Sequence, residues 1–156
     1  MINLDSSPAT VSDQTFYFDL DGDGVEENIH KLNSGSGYLA LDRNGDGEIN
    51  DGSELFGTVS GDGFADLAKY DKDGNGWIDE NDEIWKHLKI WVQTENGPEL
   101  YSLAEKGVGA ICLNKVPTYY TQYGKDGEVD AVVRSTGMFL YENGRAGSMQ
   151  HLDLAT

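Results

Sequence analysis

The chain has 156 residues and a formal net charge of -17, from 28 acidic and 11 basic side chains. A charge of that sign without a basic patch excludes a nucleic-acid partner, and a 10% aromatic content excludes a disordered acidic tail. No apolar run approaches the ~20 residues of a membrane-spanning helix, and the length suits one core, so a single domain over residues 1–156 is expected.

In chain order, residues 1–15 form an N-terminal extension with neither the basic start nor the apolar stretch of an export signal. Phe16-Tyr17-Phe18 has strand-forming residues, and it enters the acidic run Asp19-Leu20-Asp21-Gly22-Asp23-Gly24. Val25 and then Asn28-Ile29 leave that run without helical period, so a hairpin is predicted whose turn is the acidic loop. Residues 33–37 are a turn. Tyr38-Leu39-Ala40-Leu41 is a short strand delivering Asp42 into a second run, Asp42-Arg43-Asn44-Gly45-Asp46-Gly47. Phe64–Tyr70 has apolar residues at helical spacing, with Asp62 as N-cap. It leads into a third run, Asp71-Lys72-Asp73-Gly74-Asn75-Gly76. A second helix is predicted over 81–88, burying Ile84, Trp85 and Leu88.

Lys89–Val92 reads as a buried strand, and Ser102-Leu103-Ala104-Glu105 as a capping box opening a helix that Gly107 ends. Gly109–Leu113 is a further strand, in which Cys112, the one cysteine, is a small core residue. Residues 114–128 are polar and tyrosine-rich. A loop is predicted there, with Tyr119, Tyr120 and Tyr123 packed beneath it and a turn at Gly124–Gly127. Val129–Arg134 and Met138–Tyr141 alternate as strands, Glu142-Asn143-Gly144 is a hairpin turn, and Ser148–Leu154 pairs back.

The three runs share one register: an oxygen-bearing side chain at positions one, three and five, and glycine at six. Alternate side chains then converge on one centre, and the turn at six brings in the carbonyl of position seven, as in a calcium loop. The first loop supplies Asp19, Asp21, Asp23, the Val25 carbonyl and Glu27. Glu27, at position nine, closes the loop, since His30 at twelve is a poor calcium ligand. The second supplies Asp42, Asn44, Asp46, the Glu48 carbonyl and Glu54, one place beyond the usual twelfth. The third supplies Asp71, Asp73, Asn75, the Trp77 carbonyl and Asp82. All these donors are oxygen, which selects about three Ca2+ over a transition metal. Ile49 and Ile78, at position eight, are expected to bridge the second and third loops as a pair. The predicted fold is α+β: short antiparallel strands and hairpins around an EF-hand-like helix-loop-helix calcium core. The calcium loops occupy residues 16–92, and an α/β and hairpin part follows over 93–156.

Tyr17–Gly24, Leu41–Gly57 with its Asp51-Gly52-Ser53-Glu54-Leu55-Phe56-Gly57 string, Gly63–Leu67, Tyr70-Asp71, Leu88–Trp91 and Leu103-Ala104-Glu105 together resemble a known family. It is the calcium-binding module of large bacterial repeat-in-toxin-like (RTX-like) proteins, which includes the self-processing domain of iron-regulated proteins. The resemblance covers roughly residues 17–113. It implies a module of a larger secreted or cell-surface protein that folds on meeting external calcium. Its partners are then calcium and other parts of the parent, and a monomer is expected. Two departures stand out. Gln93–Glu99 lacks the alternate acids of a further loop, so that site is expected to be lost. Self-processing members cleave an Asp-Pro bond, whereas the three prolines here follow Ser7, Gly97 and Val116. The sequence therefore favours a non-enzymatic calcium-binding structural or interaction module with no catalytic residues. The alternative is a calcium-dependent self-processing peptidase module whose cleavage site lies outside these residues.

Overall fold

The computed structural model describes residues 1–4, 11–33, 35–58, 60–94 and 96–155. Its strands are β1 (Ile2–Asn3), β2 (Val11–Phe18), β3 (Glu27–Leu32), β4 (Ser36–Leu41), β5 (Trp77–Asp79), β6 (Leu88–Thr94), β7 (Gly97–Ser102), β8 (Val108–Tyr123), β9 (Val129–Tyr141) and β10 (Ala146–Leu154). One α-helix, α1 (Gly63–Ala68), interrupts them, along with three single turns of 3-10 helix. Eight strands form one sheet in the order β5-β8-β9-β10-β1-β4-β6-β7, and β2 pairs with β3 as a separate ribbon. The large sheet is antiparallel and curls into a half-barrel.

This overturns the predicted α+β fold. The protein is nearly all β, with 53% strand and 12% helix, and the described residues contain no helix-loop-helix core. The reason lies on both sides of the third loop. Before it, α1 is six residues long, its N-cap Asp62 accepting from the Ala65 amide. After it, Trp77–Asp79 is drawn into the sheet against Cys112, Ile111 and Ala110 of β8. Only Glu83–His87 remains to coil, as 3-10 helix, before Leu88 enters β6. Ile78 therefore pairs with Ile111, and the expected Ile49–Ile78 bridge does not form. The two isoleucines belong to different clusters: Ile78 packs with Phe64, Leu67, Leu88, Ile90 and Phe139, and Ile49 with Phe18, Ile29, Leu55 and Trp91.

Residues 114–123 are also strand rather than loop. Their valine, threonine and tyrosine content suits a pleated surface, and β8 follows β9 through several bulges down to Tyr123. Tyr119, Tyr120 and Tyr123 stand exposed on it instead of packing beneath a loop. The Gly124–Gly127 turn forms as expected, closed by the Gly124 amide on Glu128 O at 2.8 Å. So does the 142–144 hairpin between β9 and β10. The Ser102/Glu105 capping box is reciprocal, at 3.0 and 3.1 Å, and leads into a 3-10 turn ended by Gly107 at φ 72°. The Gln93–Glu99 segment forms the β6–β7 hairpin, with Thr94 opposite Gly97. Glu95 in that segment, Ser34 in the 33–37 turn and residues 5–10 of the N-terminal extension lie outside the described residues.

Candidate metal centre

The three acidic loops sit where strands hand the chain over. The first is the turn of the β2–β3 ribbon, with Phe18 opposite Glu27. The second leaves the end of β4 at Asp42, and the third lies between α1 and β5. Glycines at loop positions four and six take left-handed backbone, with Gly24, Gly47 and Gly76 at φ 88°, 78° and 81°. That conformation is the turn the register requires.

Each loop closes through one hydrogen-bond scheme. The carboxylate at position one accepts from the amide of the glycine at six: Gly24 to Asp19 at 2.8 Å, Gly47 to Asp42 at 2.8 Å and Gly76 to Asp71 at 2.9 Å. The closing acid accepts from the amide at position two: Leu20 to Glu27 at 2.7 Å, Arg43 to Glu54 at 3.1 Å and Lys72 to Asp82 at 3.1 Å. In the second and third loops its other oxygen takes the position-nine amide, from Asn50 at 2.7 Å and Asp79 at 3.1 Å. Asp23, Asp46 and Asn75, at position five, accept from the amides of Val25, Glu48 and Trp77. That puts those three residues directly on the loop exit, at position seven.

The expected ligands come together loop by loop. Asp19, Asp21, Asp23 and Glu27 bring carboxylate oxygens within 4.8 Å of one another. The same holds for Asp42, Asp46 and Glu54, and for Asp71, Asp73 and Asp82. Asn44 and Asn75 occupy positions three and five of the second and third loops, and their side-chain oxygens each accept a loop amide. Glu54 and Asp82 are 4% and 2% exposed, so in the second and third loops the closing acid is the buried ligand, whereas Glu27 is half-buried.

Like charges this close perturb one another. Asp73 is pushed above the usual carboxylate range, first by a hydrogen bond with Asp71, then by lost hydration and by the charges of Asp82 and Asp71. The Asp23 amide pulls Asp21 down, but burial and the charges of Asp23 and Glu27 outweigh it, and the net shift is upward. Asp46 is lowered, chiefly by the Glu48 amide. The two bases inside the loops leave this repulsion standing. Arg43 donates to Ser53 O and Tyr70 Oη, at 2.8 and 3.1 Å, and Lys72 pairs with Glu83 at 2.6 Å.

Residue patterns alone did not disclose two features. The position-two amides of Leu20, Arg43 and Lys72 hold the closing acids, a backbone role independent of side-chain identity. Gly52 links the first two loops: its amide donates to Asp19 O at 2.8 Å, and a Cβ there would stand 1.6 Å from Leu20 O. The glycine of the Asp51–Gly57 string was the available signal, since close backbone approach is a standard reason for glycine.

Residues 2–155 match the SPM domain family. The chain is also similar to the iron-regulated protein FrpA of Neisseria meningitidis serogroup C, at 28% identity over 128 aligned residues. That alignment takes in 61% of this chain and 12% of the FrpA protein, so the chain spans a small part of its relative's length. With the family match running almost end to end, the chain belongs to the SPM domain family.

Proposed function

We propose that this chain is a calcium-binding structural or interaction module of a larger, secreted or surface-exposed bacterial protein, stabilised by about three Ca2+. The observation that carries the reading is the shared geometry of the loops. Three separate segments converge carboxylates within 4.8 Å and brace them with the same backbone amides. The donor set fits a hard cation, because every converging group is oxygen and no histidine joins the clusters among the described residues. Asp71 Oδ1 supports the fit: it is buried and has no hydrogen-bond partner. A bare carboxylate oxygen in that position is costly unless a cation meets it.

In this reading Asp19, Asp21, Asp23, Glu27 and the Val25 carbonyl hold one ion. Asp42, Asn44, Asp46, Glu54 and the Glu48 carbonyl hold a second. Asp71, Asp73, Asn75, Asp82 and the Trp77 carbonyl hold a third. The ion's contribution is charge neutralisation at loops that tie β2–β3, β4 and α1–β5 into one body. Membership of a larger parent is supported by the small share of FrpA that the chain spans. Secretion or surface exposure is supported by the resemblance to RTX-like proteins. Isothermal titration with calcium at neutral pH is expected to fill about three sites per chain, and a stoichiometry of one or zero would sink the reading.

The second reading, calcium-triggered self-cleavage at an Asp-Pro bond, draws support from the similarity to an iron-regulated protein. It has no substrate bond within these residues, because the prolines follow Ser7, Gly97 and Val116.

A further inference from the structure

Four asparagines precede a glycine: Asn44-Gly45, Asn75-Gly76, Asn96-Gly97 and Asn143-Gly144. An asparagine in that position can modify itself. The glycine nitrogen attacks the side-chain carbonyl carbon, a nitrogen–carbon bond forms, and the side-chain nitrogen leaves as ammonia with the glycine amide's proton. Water then opens the cyclic imide at either carbonyl. The product is aspartate, or its isomer with the backbone routed through the side-chain carbon. Glycine favours the step because no Cβ crowds the attacking nitrogen.

Asn96 adjoins Glu95, which lies outside the described residues. Of the other three, Asn44 and Asn75 lie inside the second and third acidic loops, and Asn143 lies in the turn between β9 and β10. All three are exposed. No heavy atom stands within 4 Å of where a Cβ would project from Gly45, Gly76 or Gly144, so crowding protects none of them. Hydrogen bonds separate them instead. The Gly45 amide donates to Asp42 Oδ1 at 3.0 Å and the Gly76 amide to Asp71 Oδ2 at 2.9 Å. The Gly144 amide donates to a neutral acceptor, Tyr141 O, at 2.9 Å. An amide held by a carboxylate is the slowest to give up its proton, because the negative charge left behind would face another. Asn44 is pinned further: its Nδ2 donates to Asn50 Oδ1 at 2.9 Å, and its Oδ1 accepts from the Asp46 amide at 3.2 Å.

We propose that Asn44 and Asn75 are latent self-modification sites, blocked while the first acid of each loop holds the next glycine's amide and opened when the loop comes apart. The product matters to the loop. Aspartate at 44 gives the second loop carboxylates at positions one, three and five, as in the first. The isomer lengthens the backbone by one carbon and shifts every donor after it. That consequence rests on the calcium reading above; the protection does not.

The test is peptide mass mapping of the intact chain, aged at mildly alkaline pH in calcium. Asn143 is expected to convert well before Asn44 and Asn75. Asp42→Asn in the same buffer should speed Asn44 about tenfold, the value of one hydrogen bond to a charged group, and leave Asn75 and Asn143 unchanged. Loop asparagines that convert as fast as Asn143 in the parent would overturn the proposal. So would an Asp42→Asn chain in which Asn44 keeps its rate, or in which all three sites accelerate equally, as general unfolding would produce. Chelation should speed Asn44 and Asn75 together. If it does not, while Asp42→Asn still releases Asn44, the calcium reading fails and the protection stands.

Discussion

Asp73 illustrates how one residue carries opposite signs in two states. Its carboxyl is raised by Asp71 and Asp82, so in the metal-free protein its ionisation opposes folding at neutral pH. That opposition fades as pH falls through the raised value. Asp62 is the reverse case. The hydrogen bond from Lys115 holds it below its ordinary value, and its contribution is present above the unfolded carboxylate value and lost as pH falls through the folded one. Asp73→Asn should therefore raise the melting temperature of the chelated protein at neutral pH. The gain should shrink toward zero as pH is lowered through the carboxylate range. In calcium the same substitution should weaken the third loop by about tenfold or more, since ligand charge sets affinity. Melts with chelator and with calcium, at several pH values, test both halves. A chelated variant less stable than the parent at neutral pH would show that the loop acids do not repel.

At the scale of elements, the contacts join the first loop to the second through Gly52, which touches Asp19 and Leu20 two residues before the closing acid Glu54. Gly52→Ala would force the two segments apart, because the 1.6 Å approach is to backbone. It should weaken calcium at both the Asp19 and Asp42 loops and leave the Asp71 loop nearly unchanged. The amide resonances of Gly24, Gly47 and Gly76 report the three sites separately; equal weakening at all three would rule the linkage out. The third loop is anchored elsewhere, by Ile78 against Ile111 of β8. Ile78 is fully buried, so Ile78→Ala should cost about 2–5 kcal/mol. Because that partner lies in the sheet, the cost should persist after chelation, which denaturant titrations with and without calcium would measure.

Over the whole molecule, the converging acids should make stability depend on calcium. Each site that binds only the folded form adds about 2.7 kcal/mol at a hundredfold excess over its Kd. Chelation at low salt should therefore lower the melting temperature substantially, and added salt should recover part of the loss by screening. An unchanged midpoint on chelation would mean that the loops contribute nothing to the half-barrel. The chain should also keep its intact mass when incubated with calcium. Asp-Pro grafted ahead of Ile2 asks whether the fold can activate such a bond. Calcium-dependent cleavage of the graft alone would favour the processing reading over the purely structural one.

Local chemistry was legible in the sequence because it is local. The alternate oxygens and the glycine at six specify a loop within six residues, and the capping box at Ser102, the Asp62 cap and the 142–144 turn depend on neighbours a few places away. The convergence of Glu27, Glu54 and Asp82 on their loops was likewise within reach of spacing, at positions nine to thirteen counted from each loop's first acid. Partnership across the molecule was not. Ile78 carries the same position-eight pattern whether it meets Ile49 or Ile111, and long-range packing chose Ile111. The tyrosine-rich stretch after Asn114 is polar enough for a loop, but β9 offered a ladder and made it strand. Gly52 against Leu20 exists only where distant segments meet. Sequence by itself determined the acidic loops and their bracing by nearby amides, which is short-range stereochemistry. The tertiary structure alone decided which loops are joined and which surfaces are covered, because those follow from how the whole sheet closes.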